Sequence, residues 1–329
     1  MLYPFLMKSD YKDYIWGGRN LERFGKRLGD CNVAEAWEVS ARADGESRIA
    51  NGYWAGKGLG NVIEINPEHI LGKAVMSRMG HRLSLLFKLI DANDKLSVQV
   101  HPDDAYAKAV ENEPNGKHEA WYILEAAPNA QIVYGLLPGT SREDFRQMVE
   151  NNRISDCLNT VRVKPGDVID IPPGTVHAIC KGIVLAEIQQ NSNITYRLYD
   201  FDRKNAMGKP RELHINKALG IIDYSSRNPF ATGMIWDSSE NAKITQMLRN
   251  RYFQLNILDI YQTLELNTEG DRFYILFVAR GGMCISSDSG ELSVKKGDTI
   301  FLPAALGRYA ITGECRLLEM HVPTEKETI

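Results

Sequence analysis

Hydrophobic and polar positions alternate with a period of two over much of this chain, and that pattern predicts β-strands. Residues 163–177 have the sequence VKPGDVIDIPPGTVH, in which short apolar runs are separated by turn residues. We expect a strand at Val168–Ile171, a turn at 172–174 formed by two prolines and a glycine, and a second strand that carries His177 on its inward face. The chain is therefore predicted to be mainly β.

Two segments depart from this alternation and predict helices. Apolar side chains recur at helical spacing within 67–82, where Pro67 can occupy the first helical turn. Within 138–160, Ser141 can cap a helix that carries Phe145 in its apolar stripe. The first segment predicts a short helix, and the second predicts a small helical insertion in a β-domain.

Two polar segments are assigned structural roles at this stage. Residues 191–203 combine polar and aromatic side chains and are predicted to form a loop. Glu35 and Glu38 are interpreted as the polar face of an edge strand rather than as catalytic groups.

Potential metal ligands occur on three of the predicted strands. A single buried histidine such as His177 is more often structural than a ligand, so further donors are needed before a metal site is predicted. Strand alternation places Gln99 and His101 on one face of the strand that follows the apolar run 83–90, and it places Glu119 on the next strand. If the strands close into a barrel, nitrogen and oxygen donors from three of them can bind one ion. We therefore predict a metal site formed by Gln99, His101, Glu119 and His177.

The C-terminal part of the chain repeats the first part. Two segments recur, 131 and 152 residues after their first occurrence: 163–172 recurs as 294–303, and 121–124 recurs as 273–276. The same spacing aligns Arg308 with His177 and Asp271 with Glu119. The second copy is therefore predicted to bind no metal and to have a structural role.

Composition limits the possible functions. A length of 329 residues with 43% hydrophobic side chains favours two domains, which we place at 1–225 for the metal-binding part and 226–329 for the degenerate copy. The formal net charge of −3 argues against a nucleic-acid-binding surface, and no segment approaches the length of a membrane span. The five cysteines are dispersed, and Pro4 interrupts the apolar N-terminal residues, so that they make a poor signal peptide. We expect a cytoplasmic protein.

Ordered motifs identify a family that this chain resembles. Gly166, Pro172, Gly174 and His177 have the spacing of the second cupin motif. Five further segments match in order along most of the chain: 16–18, 36–40, 89–104, Lys117-x-Glu119 and 189–201. Together they resemble the short bacterial form of the mannose-6-phosphate isomerases, within the cupin superfamily.

The resemblance implies a fold and a chemistry. The fold would be a pair of cupin jelly-roll barrels with a small helical insertion near 138–160. One zinc ion per chain would be held by Gln99, His101, Glu119 and His177. The reaction would interconvert D-mannose 6-phosphate and D-fructose 6-phosphate through a cis-enediol, with Arg197 and Lys117 as catalytic residues. Longer family members have an aspartate where this chain has Asn193, so we assign no proton transfer to Asn193.

Other functions remain open at this stage. An Fe(II) cupin dioxygenase would use a similar set of histidine and glutamate ligands. A non-catalytic sugar-binding cupin is the third class, and the complete ligand set argues against it. The proton-transferring base is left open between a zinc-bound water, a carboxylate that contacts the sugar, and His101. The sequence predicts neither the phosphate-binding residues, nor the oligomeric state, nor the pathway, nor whether other phosphosugars are accepted.

Overall fold

Antiparallel strands make up most of the protein, as a computed structural model describes it for residues 2–204, 208–225 and 227–324. In chain order, the strands are β1 Phe5–Lys8, β2 Asp10–Lys12, β3 Glu35–Val39, β4 Ala41–Arg42, β5 Gly45–Glu46, β6 Arg48–Ile49, β7 Leu85–Ala92, β8 Val98–Val100, β9 Glu119–Ala126, β10 Gln131–Leu136, β11 Leu158–Arg162, β12 Val168–Ile171, β13 His177–Ile179, β14 Ile183–Gln190, β15 Tyr196–Tyr199, β16 Met234–Ser238, β17 Ala242–Arg249, β18 Gln254–Ile260, β19 Thr263–Asn267, β20 Tyr274–Ser287, β21 Gly290–Lys295, β22 Thr299–Leu302 and β23 Arg308–His321. The α-helices are α1 Leu59–Ile65, α2 Pro67–Leu71, α3 Lys73–Met79, α4 Asp104–Tyr106, α5 Arg142–Glu150 and α6 Ile215–Leu219. The prediction of a mainly β protein is confirmed.

Three open sheets contain nearly all the strands. Sheet A has five strands in the order β11-β10-β13-β8-β15, and sheet B has six in the order β12-β9-β14-β7-β3-β2. Sheet C has ten strands: β16-β17-β18-β23-β20-β22-β1-β6, with β19 beside β23 and β21 beside β20. Strands β4 and β5 form a separate hairpin.

Sheet B is the middle layer and packs on both of its faces. One face meets sheet A through a core that includes Trp121 and Ile179, and the other face meets sheet C through a core that includes Phe87 and Phe277. All eight residues of β7 are consequently buried. This burial on both faces explains why 83–90 is an almost unbroken apolar run.

Helix α5 begins where the sequence predicts. The hydroxyl of Ser141 accepts a hydrogen bond from the Asp144 amide, and the Asp144 carboxylate accepts one from the Ser141 amide, which completes a capping box. Phe145 is buried against the outer face of sheet A. The helical insertion therefore covers the side of sheet A that faces away from sheet B.

Helical structure within 67–82 is confirmed, with Pro67 in the first turn, but the chain forms two short helices there rather than one. Gly72 separates α2 from α3 with φ +94°, a conformation that L side chains rarely adopt. A Cβ on Gly72 would lie 2.3 Å from the carbonyl carbon of Asp271. The break is thus produced by a close backbone contact with a distant segment, which the local apolar spacing does not encode.

The repeat is visible in the strands, although one aligned position needs correction. Strand β22 occupies Thr299–Leu302, 131 residues after β12 at Val168–Ile171. In sheet B Ile171 pairs with Glu119, whereas in sheet C the equivalent Leu302 pairs with Tyr274. By strand register Tyr274, rather than the predicted Asp271, therefore occupies the position of Glu119.

The cysteines and the helices show two further features. All five cysteines are free thiols. In the described parts of the chain, no helix is long and apolar enough to cross a membrane. The cytoplasmic location stays a prediction.

Candidate metal centre

Three of the four predicted metal ligands come together in the interior. His101, Glu119 and His177 each offer a ligand atom within 4.8 Å of the other two. All three side chains are at most 1% exposed. His101 follows β8, Glu119 begins β9 and His177 begins β13, so the cluster lies between sheets A and B.

The turn before His177 sets the position of its strand. Gly174 adopts φ +86°, and a Cβ there would lie 2.9 Å from the carbonyl oxygen of Ile221. The Gly174 amide donates to the carbonyl of His101 at 2.9 Å. This bond ties the Pro-Pro-Gly turn directly to the strand end that carries the other histidine.

Backbone carbonyls orient both imidazole rings. Nδ1 of His101 donates to the Ile194 carbonyl at 2.9 Å, and Nδ1 of His177 donates to the Thr175 carbonyl at 2.8 Å. Because a carbonyl can only accept, each ring carries its proton on Nδ1 and presents the lone pair of Nε2 to the cluster. Hydrogen bonding of this kind orients metal-binding histidines in proteins.

The electrostatics of the cluster favour a cation. Burial and the Lys117 ammonium lower the pKa of His101 to about 3, and burial lowers the pKa of His177. Burial opposes ionisation of Glu119, but the neighbouring Lys117 ammonium outweighs it and lowers the pKa of this carboxyl well below its usual value. Two neutral imidazoles therefore face one carboxylate, a donor set with a net charge of minus one.

Unsatisfied atoms test whether a metal fits this set. Nε2 of His177 and Oε2 of Glu119 are buried and have no hydrogen-bond partner within the part of the chain that the structure describes. An unpaired buried polar atom is costly, and a metal ion would satisfy both atoms at once. The residues present therefore fit a divalent metal ion.

Gln99, the fourth predicted ligand, lies beside the cluster. It pairs directly with His177 on one side and with Arg197 on the other. Directly paired residues of an antiparallel sheet project from the same face. The register therefore aligns the three side chains in one row across β13, β8 and β15.

Arg197 lies on a strand, although the sequence predicted a loop for 191–203. Its Nε donates to the Ser97 hydroxyl at 3.3 Å, and Nη1 donates to the Glu212 carbonyl at 2.9 Å. Neither contact is an ion pair. Among the described residues, the guanidinium is therefore held in place without a carboxylate neutralising it directly.

Lys117 lies at the edge of the cluster and is itself buried. Its Nζ is 2.7 Å from Oε1 of Glu119 and 3.5 Å from Nε2 of His101. A positive charge is thus already attracted to the position that the two rings and the carboxylate surround.

A cavity of 310 Å³ opens next to these residues. Gln99, Lys117 and Arg197 all line it, together with Tyr14, Trp16, Glu35, Lys88, Ile90, Leu96, Ser97, Ile179, Glu187, Asn193, Thr195 and Arg211. Three predicted site residues, two from neighbouring strands and one from the loop before β9, thus face one space large enough for a small polar substrate.

Sequence reasoning missed a buried charged group in this cavity. Nζ of Lys88 lies 3.4 Å from Glu35 and 3.3 Å from Glu187. Glu35 was interpreted as part of an edge strand, but β3 lies between β2 and β7 and all five of its residues are buried. Charged residues inside otherwise apolar strands were the signal that could have revealed this group.

Burial perturbs the ionisation of this group. Burial and the negative charge of Glu119 raise the pKa of Glu187 to about 7. The Trp121 indole donates to Oε2 of Glu187 at 3.0 Å. A carboxyl group whose pKa is raised by its buried surroundings therefore faces the cavity.

Comparisons with known proteins agree with this geometry. The family model described as "Phosphomannose isomerase type I, catalytic domain" matches residues 5–127, and "Mannose-6-phosphate isomerase, cupin domain" matches residues 243–322. The chain is 36% identical to mannose-6-phosphate isomerase ManA of Bacillus subtilis (strain 168), over 97% of this chain and 99% of that protein. It is 37% identical to the probable mannose-6-phosphate isomerase GmuF of the same organism, over 98% of this chain and all of that protein. The crystal structure of mannose 6-phosphate isomerase from Bacillus subtilis superposes with a TM-score of 0.90 at 34% identity, covering 98% of this chain and 100% of the other.

Proposed function

The chain belongs to the mannose-6-phosphate isomerase family and is an isomerase, and we propose that it interconverts D-mannose 6-phosphate and D-fructose 6-phosphate with one zinc ion per chain. This reaction needs ring opening and then proton transfer between C1 and C2 through a cis-enediol, whose developing negative charge must be stabilised. The observation that carries the proposal is the buried cluster of His101, Glu119 and His177 beside a cavity lined by Lys117 and Arg197.

The zinc ion would be held by the four predicted ligands, Gln99, His101, Glu119 and His177. Neutral nitrogen donors with a single carboxylate suit zinc and leave it a net positive charge. When bound, the ion supplies Lewis acidity that polarises the sugar oxygens. Iron(II) accepts a similar donor set, but the dioxygenase alternative has no support, because the relatives are named as isomerases.

Arg197 is proposed to stabilise the enediolate. Its guanidinium keeps its charge at any working pH, and it is held by neutral groups rather than by a carboxylate. Its strand position next to Gln99 directs it toward the same face as the metal ligands. A fixed cation at this place can offset the charge that develops on the sugar oxygens.

Lys117 is proposed to contact a sugar oxygen close to the reacting carbons. Its ammonium is only 2.7 Å from the ligand carboxylate of Glu119, and it also lines the cavity. This position favours the reacting end of the sugar over the distant phosphate group.

Glu187 is proposed to move the proton between C1 and C2. It lines the cavity, and burial raises its pKa to about 7, which suits a group that both accepts and releases a proton. The imidazole of His101 is unsuited to the role, because its pKa is lowered to about 3 and its Nδ1 is bonded to a carbonyl.

The domain division is proposed as 1–225 for catalysis and 226–329 for a degenerate second barrel. The repeated β12 and β22 strands support two copies of one cupin unit. Tyr274 at the position of Glu119 supports a second copy without a metal ion. Both copies are proposed to be jelly-roll barrels.

A coupled assay tests the proposed reaction. Purified protein with D-mannose 6-phosphate should form D-fructose 6-phosphate, read through added phosphoglucose isomerase and glucose-6-phosphate dehydrogenase. A preparation of the His177→Ala variant serves as the control for contaminating isomerases and should be inactive. Equal rates for the two preparations, or no product from the native protein supplied with zinc, would contradict the proposal.

A further inference from the structure

A second cavity of 170 Å³ lies in sheet C, far along the chain from the metal centre, and we call it the C-terminal cavity. Four polar side chains form its floor: Gln254, Asn256, Glu319 and His321. All four are buried, and they come from the neighbouring strands β18 and β23. None of them belongs to the isomerase site described above.

The floor interrupts an apolar interior. Gln254 pairs with His321 and Asn256 pairs with Glu319, so alternation places the four side chains on one face of the sheet. Farther along the same face of β18 the inward positions become apolar, as at Leu258, which packs in the hydrophobic core of sheet C. The polar residues are therefore confined to the end of the sheet that opens into the cavity.

Internal hydrogen bonds satisfy only part of this group. The Gln254 amide nitrogen donates to Oδ1 of Asn256 at 3.0 Å, and the Asn256 amide nitrogen donates to Oε1 of Glu319 at 2.8 Å. Among the described residues, Oε1 of Gln254 and both ring nitrogens of His321 have no hydrogen-bond partner, although His321 is only 3% exposed and its Nδ1 lies 3.6 Å from Oε1 of Glu319. Buried polar atoms are almost always hydrogen-bonded, so these three atoms indicate a missing ligand.

The position of the cavity within the repeat is informative. Tyr274 lines it, and by strand register Tyr274 occupies the place of Glu119 in the first copy. The cavity is thus the counterpart of the metal centre. In the parts of the chain that the structure describes, however, only the first centre groups three metal-binding side chains, whereas Glu319 and His321 are two. An organic ligand suits the second copy better than a metal ion.

We propose that the C-terminal cavity binds a neutral polyhydroxylated molecule, such as a free hexose or a sugar alcohol. The floor offers carbonyl and carboxylate acceptors together with an imidazole that both donates and accepts, which matches the mixed donor and acceptor character of hydroxyl groups. Trp236 lines the cavity with 54% of its surface exposed, so its ring can cover the C–H face of a sugar. The volume equals that of about six water molecules, the size of a small polyol rather than of a nucleotide.

The charge of the floor argues for a neutral ligand. The Glu319 carboxylate would repel a phosphate group placed next to it. Arg249 also lines the cavity. A titration with inorganic phosphate therefore tests whether the cavity binds an anion rather than a neutral molecule.

Indole NMR signals can distinguish the two cavities in a single spectrum. The chain has five tryptophans; Trp16 lines the cavity at the metal centre and Trp236 lines the C-terminal cavity. Each indole N–H signal of ¹⁵N-labelled protein can be assigned by its loss in a Trp→Phe variant. D-Mannose and D-mannitol are then titrated separately, with inorganic phosphate as the anion.

We expect at least one of the two sugars to shift the Trp236 signal in a saturable manner. Glu319→Gln, which keeps the size and shape of the side chain, and His321→Phe, which keeps an aromatic ring but removes both ring nitrogens, should weaken that binding about tenfold or more. Both variants should retain native isomerase activity, and His177→Ala should leave the Trp236 titration unchanged. The proposal is overturned if neither sugar shifts Trp236, if both floor variants bind as tightly as the native protein, or if only phosphate causes the shift.

Discussion

Replacing Arg197 with alanine tests whether this residue acts mainly in the transition state. Folding should lose little, because with the described residues the side chain makes only a long bond to Ser97 and one bond to the Glu212 carbonyl, each contributing about 1 kcal/mol. Loss of a cation directed at the enediolate should instead cost about 3 to 4 kcal/mol, which corresponds to a fall in kcat of about 10²- to 10³-fold. Arg197→Lys should recover part of this loss, since it keeps the charge but not the planar fork.

The assay compares kcat, KM and zinc content of the two Arg197 variants with those of native protein. Arg203→Ala is the matched control, because Arg203 lies near Arg197 in the chain but pairs with Asp200 and does not line the cavity. We expect a nearly native kcat for the control and an unchanged zinc content for all variants. If Arg197→Ala kept its kcat and only KM rose, Arg197 would be a ground-state binding group and the proposed role would be wrong.

Four further changes test other parts of the structure. Replacing His177 with alanine should remove the bound zinc, as elemental analysis would show; unchanged occupancy would rule out the site. The kcat/KM of native protein should rise with pH, because burial raises the pKa of Glu187 and this residue must lose its proton to act as a base. Glu187→Gln should abolish both this rise and most of the activity, and a Gln variant with the native profile excludes the role. Lys88→Met removes the counter-charge of two buried carboxylates, each of which keeps one hydrogen bond from an indole, and should lower the free energy of unfolding in urea by about 3 to 5 kcal/mol. A loss below about 1 kcal/mol would show that the carboxylates do not depend on Lys88. Gly72→Ala should destabilise more than Gly139→Ala, because both have positive φ but only Gly72 faces backbone atoms; equal losses would refute the packing explanation.

The metal cluster was predictable from sequence because local patterns determine it. The Pro-Pro-Gly turn and the alternation before it place His177 at the start of an inward-facing strand, and the same period applies to Glu119. The predicted convergence of His101, Glu119 and His177 then needs only that sheets A and B pack face to face. The catalytic roles of Arg197 and Lys117 remain predictions.

Features that depend on strand order were not predictable. Glu187 faces Lys88 only because β14 pairs with β7 across a long stretch of chain, and no local pattern reveals that pairing. The strand that carries Arg197 was interpreted as a loop because its polar and aromatic residues match no simple period. The alignment of Asp271 with Glu119 failed for a related reason, since apolar similarity cannot detect a three-residue change of register.

Zinc reconstitution tests the central proposal most directly. Protein stripped of metal with a chelator is titrated with zinc, and the rate of D-fructose 6-phosphate formation from D-mannose 6-phosphate is measured at each step. We expect no activity before zinc is added, a rise in proportion to the bound zinc, a plateau at one zinc per chain, and no recovery in Glu119→Gln. Full activity in the stripped protein, or equal recovery in Glu119→Gln, would contradict a metal-dependent isomerase centred on His101, Glu119 and His177.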